Sequence, residues 1–110
     1  MTDAVTLCCL LWARDGEREG MAAYEDRVLA LVAAHGGEVV QRALSDAAGE
    51  GPDEVQLFRF GDREGLQGYL DDPARTALAA ERDRVVARTE LFPVALRPVL
   101  GGEAQAPSVD

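Results

Sequence analysis

The nine residues Val5 to Ala13 (VTLCCLLWA) are nearly all apolar. Side chains on a strand alternate between its two faces, so a strand with one wet face alternates apolar and polar residues. This run does not alternate. A strand here is buried on both faces and lies inside its sheet, and each side of that sheet needs a cover. Cys8 and Cys9 sit within it. Adjacent strand residues point to opposite faces, so the two cannot jointly ligate one metal in the usual way. A disulfide between neighbours needs unusual backbone geometry. They are read as two small buried apolar residues.

Arg14-Asp15-Gly16 ends the run, with Asp15 as a candidate N-cap for the next helix. Glu17 to His35 reads as an amphipathic helix with Met21, Tyr24, Val28, Leu31 and Val32 in one stripe. Glu25, Asp26 and Arg27 fall off that stripe. Gly36-Gly37 closes the helix, and His35 is a helix-end residue. Glu38 to Leu44 is a second strand, mixed on both faces and so nearer an edge. In it, Val40, Arg42 and Leu44 share one face. Ser45 to Pro52 is a loop that makes a hairpin with Glu54 to Phe60. In that third strand Gln56, Phe58 and Phe60 share one face, and Val55, Leu57 and Arg59 the other. An arginine among aliphatics must pair, face a wet cavity or reach the rim, because unpaired buried charge is costly.

Arg63 to Leu70 is a short helix, broken by Asp71-Asp72-Pro73. Asp72 is placed to cap the next helix, with Pro73 at its first position. That helix is expected from Pro73 to about Arg88, its arginines and acids forming a solvated face. Leu91 to Leu100 is a last strand. Pro93 and Pro98 cannot donate to a ladder, so it lies at an edge or is irregular. Residues 1–100 are read as one domain and 101–110 as a flexible tail.

The order β-α-β-β-α-β, with its second helical part split, is the ferredoxin-like arrangement of an α+β protein. Such a sheet carries helices on one face only. The doubly apolar first strand requires a cover for the other face, and a second copy of the chain is the economical one. Two sheets packed face to face make a dimeric α+β barrel.

Composition narrows the function. The net charge is −9 and all 11 basic residues are Arg, with no run of them. That disfavours nucleic acid, whose phosphates call for clustered positive charge. No apolar run approaches the ~20 residues of a membrane span, and no leader pattern opens the chain, so the expected location is the cytoplasm. The single His rules out a metal site or a mechanism built on two. No phosphate loop comes after a strand, and no metal or cofactor is expected.

The segment FGDREGLQGYLDDPARTALAAERD resembles the F-x-S/D-x-E-x-A … W/Y-x-x-S/D-P … R segment of DUF1330-like proteins in the dimeric α/β-barrel superfamily. Upstream, AYEDRVLALVAAHGGEVVQR is similar to their first helix, Gly-Gly and second strand, with Arg42 where those proteins often carry Arg. The resemblance covers roughly residues 5–100. This chain departs from the pattern with Arg75 at the aromatic position and Gly at Gly65 and Gly68. Related barrels include cofactor-free monooxygenases, polyketide cyclases and haem-degrading enzymes. The resemblance implies a cavity between helices and sheet or inside the barrel, without implying a reaction.

Candidate ligand contacts are Trp12, Tyr24, Arg42, Arg59 and Tyr69, with Arg97 further out. Aromatic walls with guanidinium groups suit an aromatic or anionic organic acid. The competing reading makes Trp12 and Tyr24 core and pairs Arg42 and Arg59 with acids. Three functions fit these residues. The first is a homodimer binding a small organic molecule in an apolar cavity. The second is a cofactor-independent monooxygenase or cyclase, with Arg59 or Arg42 stabilising an anion and Tyr24 or Tyr69 relaying a proton. The third is an interaction module with a filled barrel.

Overall fold

The computed structural model describes residues 4–46 and 49–100. Its strands are β1 (Val5–Ala13), β2 (Gly37–Leu44), β3 (Glu54–Phe60) and β4 (Val86–Val94). They form one antiparallel sheet in the order β2-β3-β1-β4. The apolar first strand is interior, as its two-sided pattern requires, and the Pro-bearing last strand is at an edge. The helices are α1 (Arg18–Leu29), α2 (Arg63–Leu70), α3 (Pro73–Thr76) and α4 (Ala79–Val85). This is the ferredoxin-like β-α-β-β-α-β arrangement. Its extents are 46 × 41 × 18 Å. The short dimension is that of one sheet with one layer of helices.

The core lies between those layers. Leu7, Cys9 and Leu11 of β1 meet Phe58 and Phe60 of β3, Met21, Tyr24 and Val28 of α1, and Tyr69 of α2. Phe60 is fully buried and stacks at 5.5 Å on Tyr69 and at 6.0 Å, edge-on, against Phe58. Side chains on the other face of β1 and β3 (Cys8, Leu10, Trp12, Val55, Leu57) are only half-buried, and Phe92 of β4 beside them is exposed.

Several boundaries differ from expectation. The first helix ends at Leu29, and a separate 3₁₀ turn, Val32–His35, carries the chain to Gly36, whose φ of +78° is open to glycine. Asp15 does not cap α1. Gly16 turns left-handed at φ +78° after it, and Glu17 occupies the cap position without a side-chain hydrogen bond. The expected long helix is divided at Ala77-Leu78 into two short ones, and it stops at Val85 because Val86 already pairs with Ala13; β4 therefore starts five residues before the expected strand, and it ends at Val94, short of Leu100. A register shift between Val39 and Gln41 takes Val40 out of alternation. Arg42 and Leu44 therefore share their face with Val39, whose partner Phe58 faces the core. The tail expected at 101–110 lies outside the described residues.

Asp72 caps α3 as its position suggests, and Asp62 caps α2. The Gly65 N–H donates to Asp62 Oδ1, and the Ala74 N–H to Asp72 Oδ1, each at 2.8 Å. Asp72 Oδ2 also lies 2.7 Å from His35 Nε2, which ties the 3₁₀ turn to the start of α3. The glycines that depart from the family pattern make room for this junction. A Cβ at Gly65 would lie 2.5 Å from the His35 carbonyl oxygen, and one at Gly68 2.9 Å from His35 Nδ1.

Candidate functional site

The helix-facing side of the sheet carries a row of buried polar groups. Glu54 and Gln56 precede Phe58 and Phe60 along one face of β3, and all four are buried. The Gln56 amide Nε2 donates to Glu54 Oε2 at 3.0 Å and to Glu25 Oε1 of α1 at 2.8 Å. Arg42 closes the Glu54 end. Its Nε donates to Glu54 Oε2, its Nη1 to Asp26 Oδ1, and its Nη2 to the Ala22 carbonyl at 3.0 Å. These bonds, led by the one to Glu54, push the Arg42 pKa up and fix its charge.

The Glu25 end is different. Glu25 is 5% exposed. Gln56 is its hydrogen-bond donor, and no cation pairs with it directly among the described residues. Burial therefore raises its pKa above the usual carboxylate range, with the Gln56 amide opposing. Glu25 lines a cavity of about 50 Å3 between helices and sheet, together with Cys9, Tyr24, Gln56, Tyr69, Arg75, Arg82 and Thr89. Its wall is mixed rather than uniformly apolar. Arg75 lies over the Tyr69 ring, its guanidinium carbon 5.0 Å from the centroid. Its Nε is buried without a hydrogen-bond partner. Arg82 Nη2 donates to the Thr89 hydroxyl at 3.0 Å. Burial pushes the Cys9 thiol and the Tyr69 hydroxyl up to about 12, so both stay protonated at neutral pH. A thiol held in that form is no nucleophile.

Of the five candidate contacts, the structure brings Tyr24 and Tyr69 to this cavity. Arg42 is on the same face but is committed to Glu54 and Asp26. Trp12 and Arg59 are on the opposite face. There Arg88 stacks on the Trp12 ring at 4.3 Å, and Arg59 Nη2 lies 3.0 Å from Glu38 Oε2. Glu25, Gln56, Arg75 and Arg82 were not among the candidates. The available signal is Gln56, a polar residue sharing with two phenylalanines a face that must be core.

A larger hollow, about 380 Å3, opens at the β1–α1 turn beside Arg14, Arg18 and Asp53. Its arginines are already engaged, Arg14 Nε with the Asp83 carbonyl and Arg18 with Asp53 and Ser45. We take the smaller cavity as the candidate site because it holds the unpartnered Arg75 Nε beside a buried carboxyl with no paired cation among the described residues.

A sheet with helices on one face, and a polar-walled cavity between the two layers, defines a ferredoxin-like α+β protein with an interlayer cavity. A model of the family described as Domain of unknown function (DUF1330) matches residues 14–94, and the chain belongs to that family. Three solved structures show the same fold. One is the RPA0582 protein of unknown function from Rhodopseudomonas palustris, at 20% identity and TM-score 0.70, covering 87% of this chain and 85% of that one. Another is a dimeric protein of unknown function with a ferredoxin-like fold from Bacteroides fragilis, at 16% identity and TM-score 0.67, covering 86% and 97%. The third is SnoaB, a cofactor-independent oxygenase from Streptomyces nogalater, at 18% identity and TM-score 0.68, covering 89% and 97%. No curated protein sequence matches the chain.

Proposed function

We propose that the protein is a cytoplasmic homodimer, two sheets facing each other as an α+β barrel, in which each protomer binds a small organic molecule between its helices and its sheet. The observation that carries the ligand reading is the buried Arg75 Nε, which has no hydrogen-bond partner, in one cavity with Glu25, whose donor is a neutral amide. Buried polar groups are ordinarily satisfied, and an acceptor atom on a ligand would satisfy Arg75 Nε. At about 50 Å3 the cavity takes only a few water molecules as it stands. A larger ligand needs its cover to shift. That cover is thin: α3 has no buried residue and α4 has only Val85. Segments that bury so little open at low cost.

The dimer reading rests on the uncovered face. Cys8, Leu10, Val55 and Leu57 form its apolar centre, while the ion pairs Arg59–Glu38 and Arg88–Glu90 stand on it as polar groups. An apolar centre with charged surroundings suits a self-complementary interface. The dimeric Bacteroides fragilis neighbour is consistent with it. Sedimentation equilibrium tests this directly. The wild type is expected to be a dimer at micromolar concentration and Leu57→Arg a folded monomer; a monomeric wild type defeats the dimer reading. Native mass spectrometry of the purified protein tests the ligand reading. An organic adduct lost on gentle activation and absent from Arg75→Met supports it, and one retained equally by both proteins refutes it.

A second reading places a cofactor-independent reaction in the same cavity. It is favoured by the fold likeness to SnoaB and by the guanidinium groups of Arg75 and Arg82 in the cavity lining, where an enolate would be held.

A further inference from the structure

Glu25 and Arg75 line the same cavity, yet no ion pair joins them among the described residues. The hydrogen bond to Glu25 comes from the neutral Gln56 amide, the Arg42 and Arg75 charges reach it only through space, and the Arg75 guanidinium has a buried N–H with nothing to donate to. Moving the negative charge from Glu25 to a place beside Arg75 improves both. We propose that the cavity takes an acidic hydroxyl compound, a phenol or an enol, and holds it as its oxyanion against Arg75 with the proton on Glu25. This rests on the ligand-binding reading above. The ligand O–H bond breaks, a carboxyl O–H bond forms on Glu25, and the charge passes to the ligand oxygen, so the net charge of the complex is unchanged. The same bound state forms from either side, by neutral ligand meeting ionised Glu25 or by the oxyanion meeting protonated Glu25.

The other titratable groups around the cavity leave Glu25 as the acceptor. Cys9 from β1, Tyr24 from α1 and Tyr69 from α2 all hold their protons more tightly than usual because they are buried. Glu54 of β3 faces Gln56 from the far side and is bonded by Arg42 of β2. Arg75 and Arg82 bring positive charge from α3 and α4. Among the described residues, Glu25 joins contact with the cavity to a carboxyl that gains by accepting a proton. Tyr24 and Tyr69 add the aromatic wall that suits a planar ligand.

The probe is 4-nitrophenol, coloured as its anion and colourless when protonated, titrated into the full-length protein across alkaline pH. Where the free probe is already anionic and Glu25 is ionised, binding must take up one proton. Wild-type affinity is then expected to fall about tenfold per pH unit. Glu25→Gln needs no proton, so its affinity should stay flat over the same range. Arg75→Met should weaken binding of the anion about tenfold while keeping the wild-type slope. Equal slopes in wild type and Glu25→Gln, with binding intact, would overturn the assignment of the proton to Glu25 and leave the ligand site standing. Failure of the folded wild type to bind the probe at any pH would overturn the oxyanion proposal, and the native mass spectra would still decide the ligand reading independently.

Discussion

Glu54 and Glu25 lie on either side of Gln56 and accept from the same amide group, and both are close to inaccessible, at 0% and 5% exposed. Their surroundings diverge from there. Glu54 is gripped by the Arg42 guanidinium, which Asp26 and the Ala22 carbonyl hold in turn. Glu25 has no such partner among the described residues and faces a cavity. One end of the row is a closed ion pair that fixes β2 and β3 to α1. The other keeps a carboxyl under tension with its environment. Burial alone therefore does not single out a candidate carboxylate; burial without an ion-pair partner does.

The most damaging way to break this contrast is to remove the cation from the closed end. Arg42→Ala strands a buried carboxylate, and losing one partner of a buried pair is costly because the other charge remains. The expected loss is about 3 kcal/mol, read from the urea midpoint at unchanged m-value. Adding Glu54→Gln should recover more than half of it by removing the stranded charge. A loss unaffected by the second change would mean that Arg42 acts through packing of its stem.

At the open end the same operation should work in reverse. The folded-state pKa of Glu25 is raised, so its protonated form favours folding. That contribution is fully present below the unfolded glutamate pKa and is lost as pH rises through the folded one. Wild-type stability should decline through that window, and Glu25→Gln should remove this part of the decline. The variant is then the more stable protein at alkaline pH and equal to wild type at acid pH. Denaturation midpoints of the two proteins across pH check the sign. A variant less stable at every pH would show that Glu25 is compensated after all.

The sheet was the legible part of the chain because its signals are local. The apolar run Val5–Ala13 placed β1 inside, and Phe58 and Phe60 oriented β3. Asp72-Pro73 marked a helix start by capping chemistry alone. The errors came where two signals competed. The helix expected to run to about Arg88 stops at Val85, because Val86 pairs with Ala13 across the sheet. Periodicity cannot show that a bulge at Val40 re-aims Arg42. The site was harder still. Glu25 looks like a surface residue on α1, and Arg75 and Arg82 look like a solvated face, until α3 and α4 fold over the sheet edge. Which charges meet is a property of the packing, and the chain alone specifies only which are available.

The smallest expected effect sharpens the contrast from the other face of the sheet. Arg59 also pairs with a glutamate, Glu38, at 3.0 Å, but the two side chains are 43% and 61% exposed. Water already solvates both charges, so Arg59→Ala should change protomer stability by no more than about 0.5 kcal/mol. Salt should shrink that difference further. Arg42 and Arg59 then differ about sixfold in effect while making the same kind of bond, and the difference tracks what their partners lose when left alone. If two sheets do meet on this face, the effect of Arg59→Ala belongs in the dimer dissociation constant. A larger shift there than in the protomer would place Arg59 in the interface, and an equal one would leave it an ordinary surface pair.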